Sequence, residues 1–139
     1  MKEAFEILDH TADTGIIAYG TDFEKLFSNA GLALFSLITD LGSIEEKLHL
    51  DLEVRSEDRD SLVVDWLNEL IYCFDSKHVL FNRFVIETMT HSALKATCYG
   101  EDFDPNKHRI KTGVKAATYH MLRLDRDDNG YKAQIILDI

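Results

Sequence analysis

The chain has 139 residues, 45% of them hydrophobic and 29% charged, which suits one globular domain with a sizeable core. Twenty-five acidic residues stand against fifteen basic ones, a formal net charge of −10. Nucleic-acid binding draws most of its affinity from Lys and Arg on phosphates, so a direct strong grip on RNA or DNA is not expected.

A divalent cation or a basic protein surface matches that charge better. No apolar run approaches the roughly 18 residues of a transmembrane helix, so no membrane association is expected. The N-terminal MKEAFEILDH carries acids where a secretory signal has a basic region, which points to the cytoplasm. Cys73 and Cys98 lie far apart without a CxxC motif and read as buried thiols of a reducing compartment. Nothing supplies the close N and S ligands of a zinc site.

Two apolar runs, AFEI and IIAY, flank the polar stretch LDHTADTG and read as the first two strands. From Thr21 to about Asp40 the apolar residues Phe23, Leu26, Phe27, Ala30, Leu34, Leu37 and Ile38 recur at helical spacing. Thr21 and Glu24 have the spacing of a capping box, and Gly42 falls just past the end. Leu48, Leu50, Leu52 and Val54 alternate with polar residues, a half-buried strand. A second helix is predicted from about Asp60 to Ser76, with Asp58 or Asp60 as its cap. Strands over Val79–Thr90 and Leu94–Tyr99 follow, joined at THSA. Val114–Leu124 and Tyr131–Ile139 complete the set, joined by DRDDNG with its Asn129-Gly130 turn signal. The order ββαβαββββ lacks steady βαβ alternation. It favours an α+β class: a single compact domain over residues 1–139, with two helices packed on a largely antiparallel sheet.

The chemistry-bearing residues are few. His10 and Asp13 of HTAD fall on a strand connection, where functional groups are easily presented. The plain alternative is a polar turn in which Thr11 or Asp13 bonds backbone N–H groups and Gly15 takes a positive φ. Strand alternation in IILDI puts Asp138 on the face opposite Leu137, and a terminal carboxylate on Ile139 adds a second anion one residue away. With a third carboxylate nearby, these would form a hard-oxygen site for Ca²⁺, Mg²⁺ or Mn²⁺. In GVKAATYH, Lys115, Ala117, Tyr119 and Met121 are predicted on one strand face, and Val114, Ala116, Thr118 and His120 on the other. Lys115 also reads as a snorkelling strand lysine, and His120 as a rim histidine. The acid-rich YGEDFDPNKH lacks EF-hand spacing and reads as a solvated loop. There is no G-x-S-x-G, glycine-rich phosphate loop or H-E-x-x-H, so no motif indicates an independent enzyme.

LDHTADTGIIAYG, LVVDWLNELIY, GVKAATYH and ILDI, in that order, resemble the archease family along the whole chain from about Phe5 to Ile139. The resemblance implies the compact α+β archease fold. It implies a cytosolic protein cofactor of the RtcB-type RNA ligase, which joins tRNA exon halves in tRNA splicing and guanylylates a histidine of its own with GTP and metal. The cofactor promotes guanylylation and multiple turnover without performing the ligation. The family's metal site maps to Asp13, Asp138 and, through backbone oxygen, Ile139. Calcium is the first expectation, with Mg²⁺ or Mn²⁺ as alternatives. The lysine important for ligase activation maps to Lys115. His10 and His120 match motif positions as accessory candidates without an assigned role. Two other readings stay open. One is a chaperone-like modulator of another tRNA-processing enzyme, such as a tRNA methyltransferase. The other is a metal-dependent hydrolase that uses Asp13 and Asp138 as ligands and His10 as base.

Overall fold

The computed structural model describes residues 3–9 and 13–139. Among them, every strand pairing is antiparallel, and the strands form two sheets. In the first, β1 (Phe5–Asp9) pairs with β2 (Asp13–Gly20), which pairs along its length with the last strand, β8 (Gly130–Asp138). The far edge of β8 is shared. β7 (Arg123–Asp127) takes its first half and the two-residue β6 (Ala116–Ala117) its end. The second sheet has β5 (Ala93–Asp102) between β3 (Leu48–Arg55) and β4 (Val79–Met89).

Helix α1 (Phe23–Ile38) lies on β2 and β8 of one sheet and β4 of the other, joining them into one core. Its buried stripe of Leu26, Phe27, Ala30, Ala33, Leu34 and Ile38 follows the predicted periodicity. Gly31 lets it approach β4, because a Cβ there would meet the Phe84 ring at 2.9 Å. Helix α2 (Arg59–Lys77) packs on β3, β4 and β6. It buries Trp66, whose ring meets Phe84 edge-on at 5.8 Å and whose Nε1–H donates to the Phe27 carbonyl at 2.9 Å. Burial of such a ring with its polar atom satisfied contributes on the order of 1.5–3 kcal/mol.

Local chemistry corrects several sequence expectations. The cap of α1 is Asp22, one residue past Thr21: its Oδ1 accepts from the Lys25 N–H at 2.7 Å, so the Thr21–Glu24 box does not form. A carboxylate there also faces the positive end of the helix dipole. The helix stops at Ile38, and Asp40 instead caps a short 3₁₀ turn, Leu41–Ser43, by accepting from the Gly42 N–H at 3.0 Å. Of the two caps proposed for α2, Asp58 is the one used, at 2.8 Å from the Ser61 N–H. Gly15 is an ordinary strand residue. The one described glycine with positive φ is Gly130 (φ 136), which opens β8 against the backbone of Gly20.

The largest correction is the predicted strand Val114–Leu124. It breaks into β6 and β7 around a turn in which the Leu122 N–H donates to the Tyr119 carbonyl and Met121 adopts φ 52. The order becomes ββαβαβββββ. The two-face assignment fails with it: Val114 and Ala117, predicted on opposite faces, are both buried.

Candidate metal-binding chain end

Asp13 and Asp138, 125 residues apart in sequence, are register partners on β2 and β8. Directly opposite residues of antiparallel strands share a face, with Cβ atoms about 4.5–5.5 Å apart. Two carboxylates so placed repel each other, and among the described residues neither has an ion-pair partner. Asp13 is half-buried and Asp138 exposed. Asp13 therefore belongs to the first position of a strand, not to a connection as expected. Its neighbour Thr14 donates from Oγ1 to the Leu8 carbonyl at 2.8 Å. His10, Thr11 and Ala12 lie outside the described residues.

The next row of the sheet is closely packed. Gly15 is the register partner of both Leu8 and Ile136. A Cβ at Gly15 would meet Ile136 Cδ1 at 3.0 Å and Leu8 Cβ at 3.3 Å. Glycine thus lets Ile136 fold across the strand, where it is buried outside the main core.

On the other flank of β8, Ala116 is the register partner of Asp138 and Ala117 that of Leu137. The Lys115 N–H donates to the Asp138 carbonyl at 2.8 Å, and the Thr118 N–H donates to the Ile136 carbonyl at 3.0 Å. Lys115 is exposed and one residue outside β6. Asn68 of α2 holds the outer edge of β6: the Ala117 N–H donates to its Oδ1 at 2.8 Å, and its Nδ2 donates to the Ala117 carbonyl at 3.1 Å. The sequence reading did not single out Asn68, although a lone amide on a mostly apolar helix stretch was a visible signal.

Beyond β6 the turn presents Tyr119, His120 and Met121, all exposed. Thr118 anchors one end, with its Oγ1 donating to the Ile136 carbonyl at 2.8 Å. Gln134 anchors the other, with its Nε2 donating to the Met121 carbonyl at 3.0 Å. His120 thus sits on the turn, off any strand face.

The donor chemistry at this end is hard oxygen, which fits Ca²⁺, Mg²⁺ or Mn²⁺ and not a soft-metal site. Side-chain donors are two in number: among the described residues no three His, Cys, Asp or Glu side chains converge on one point. A cation held by Asp13 and Asp138 would need further ligands, and main-chain oxygen and water are donors of the matching hard kind.

A second polar cluster was missed entirely. Glu101, predicted to lie in a solvated loop, is the penultimate residue of β5 and is buried, as is His108. It accepts from the Glu45 N–H at 2.8 Å and pairs with Lys107 at 2.8 Å. The Asp104 N–H donates to His108 Nδ1 at 2.9 Å, so Nδ1 is unprotonated and Nε2–H donates to Glu101 at 3.0 Å. Burial pushes the Glu101 carboxyl up, but Lys107, the Glu45 N–H and His108 outweigh it and hold it down at about 2. Both cysteines are buried, and burial pushes both thiols up, as in inert structural thiols.

A pocket of about 330 Å³ lies at the opposite end of β2 and β8, lined by Tyr19, Lys25, Asn29, Asp127 and Tyr131. It is not at the carboxylate pair. No described helix is long and apolar enough to cross a membrane.

Residues 5–139 match the Archease protein family. Protein archease of Sulfolobus acidocaldarius is 40% identical over 136 residues, which cover 97% of this chain and 98% of that protein. The solution structure of Methanobacterium thermoautotrophicum protein 1598 superposes with a TM-score of 0.84 at 40% identity, covering 98% of this chain and 99% of that one. The crystal structure of a Thermotoga maritima archease, described as a possible chaperone, gives a TM-score of 0.67 at 24% identity, covering 100% and 98%. At that identity the second likeness shows the fold alone.

Proposed function

The chain belongs to the archease family, and on that premise we propose that it is a metal-binding protein cofactor of an RtcB-type RNA ligase in tRNA splicing and RNA repair. It promotes guanylylation of the ligase and supports multiple turnover. It is an accessory activator, not itself the ligase. The observation that carries this reading is the Asp13–Asp138 pair, two like charges set directly opposite each other at one end of the sheet. A divalent cation, Ca²⁺ before Mg²⁺ or Mn²⁺, removes that repulsion. Asp13, Asp138 and the main-chain oxygen of Ile139 would hold it. When bound, the ion supplies positive charge beside Lys115 at an otherwise acidic end.

The chain's own residues do the rest. Pairing with β2 on one side and β6 on the other fixes Asp138. Lys115 is exposed, and its backbone N–H bonds the Asp138 carbonyl at the same end of the sheet. Tyr119 and Met121, 58% and 60% exposed, lie on the turn after β6 and are of the residue types that protein interfaces favour. A net charge of −10 steers the protein toward the basic surface of an RNA-handling enzyme.

Single-turnover guanylylation of the ligase tests this. Asp13→Ala and Asp138→Ala should each abolish stimulation, and the reading fails if both variants stimulate as the unmodified protein does. A chaperone-like modulator of a tRNA methyltransferase predicts instead partner binding that survives EDTA, which paired pull-downs with and without chelator distinguish.

A further inference from the structure

Strand β6 has only two residues, and its outer edge would leave the N–H and carbonyl of Ala117 without strand partners. Asn68 closes that edge by bonding both groups, at 2.8 and 3.1 Å. A carboxamide presents an acceptor and a donor side by side, as a peptide group does, so Asn68 stands in for a missing neighbouring strand. Aspartate could only accept and would set a negative oxygen against the Ala117 carbonyl. The base of this clamp is rigid, because Leu67, Leu70 and Ile71 of the same helix are buried in the core.

The clamp bears on the chain end through three consecutive contacts. Asn68 holds Ala117, Ala116 pairs with Asp138, and the Lys115 N–H donates to the Asp138 carbonyl at 2.8 Å. Residues 111–115 have no strand pairing of their own; the Lys111 N–H bonds the Ile38 carbonyl at 2.8 Å and Val114 is buried, so Lys115 is held between that buried side chain and β6. We infer that Asn68 is a positioning residue: it docks residues 115–117 on the end of β8 and so sets Lys115 beside the Asp13–Asp138 pair. This rests on the role given above to Lys115 and the two aspartates, and it adds the residue through which α2 controls that lysine.

Two measurements on the full chain test it. The first is amide hydrogen exchange in Asn68→Ala and Asn68→Asp. The Lys115, Ala117 and Thr118 amides should exchange about tenfold faster or more in Asn68→Ala, while Ile16 and Ala18 of β2 stay protected. Asn68→Asp keeps the Ala117 acceptor but loses the second bond, so its Lys115 amide should also speed up. If Asn68→Ala does not fold, Asn68→Asp carries this measurement. Unchanged exchange at Lys115 overturns the inference.

The second measurement is ligase guanylylation stimulated by Asn68→Ala, Lys115→Ala and the double variant. Asn68→Ala should lower stimulation by about tenfold, as loss of an outer-shell partner does. The double variant should be no weaker than Lys115→Ala alone, because Asn68 acts through that lysine. Effects that multiply overturn the coupling, since a merely structural staple would add its loss independently. If the unmodified protein gives no stimulation, the ligase reading falls, and the exchange measurement still decides whether Asn68 positions Lys115.

Discussion

The two acidic centres of this molecule are built in opposite ways. At Glu101 a buried carboxylate is surrounded by donors: the Glu45 N–H, Lys107 and a histidine whose tautomer is set by Asp104. At Asp13 and Asp138 two carboxylates face each other across a strand pair, with no ion-pair partner among the described residues. Buried charge that is fully partnered joins segments of the fold; here it ties the end of β5 to the loop at Glu45. Charge set against like charge at a sheet end costs stability, a cost that a bound cation would remove. The contrast separates acid held by donors from acid set against acid better than any count of carboxylates.

That contrast can be broken by substitution. The largest effect is expected at Glu101. Glu101→Gln leaves Lys107 and buried donors without their charged acceptor and should destabilise the fold by about 1–3 kcal/mol in urea unfolding. It should do so with or without calcium. The same residue governs acid sensitivity. A carboxyl held at about 2, below its ordinary 4.5, stabilises the folded state above the ordinary value and loses that contribution as pH falls toward 2. The unmodified protein should therefore lose stability between about pH 5 and pH 2, and Glu101→Gln should flatten that limb in a pH series of unfolding midpoints.

The chain end should respond to metal instead. Asp138→Asn should weaken Ca²⁺ binding by at least about tenfold, equivalent to about 1.4 kcal/mol, read by calorimetry. Equal affinity in the variant would remove the metal site from this end. The smallest effect has the opposite sign to Glu101→Gln. In EDTA, Asp138→Asn should raise stability by about 0.2–1 kcal/mol, because it relieves the like-charge pair. A loss of stability there would mean that Asp138 has a structural partner like those of Glu101, and the contrast would collapse.

The two centres were not equally legible. Asp13 and Asp138 stood out because polar residues interrupted apolar strands at HTAD and ILDI. Glu101 and His108 did not, because YGEDFDPNKH has the composition of any exposed loop. Its burial comes from contacts with residues 45–47 and 78, which composition does not encode. Asn68 was hidden for a similar reason: its partner, the Ala117 backbone, is 49 residues away.

The sequence by itself determined the elements whose signal is local. Helical spacing marked α1 and α2, alternation marked β3, and Asn129-Gly130 marked the final hairpin, because each depends on residues a few positions apart. Only the tertiary structure decided which strand lies beside which. Residues 114–124 read as one strand, yet both β6 and β7 take their place on the same edge of β8, and the chain must turn at Met121 to reach both halves. The same pairing brings Asp13 opposite Asp138. Strand partners are chosen by burial of a whole face and not by local propensity, so Asp13 and Asp138 meet only once the sheet has formed.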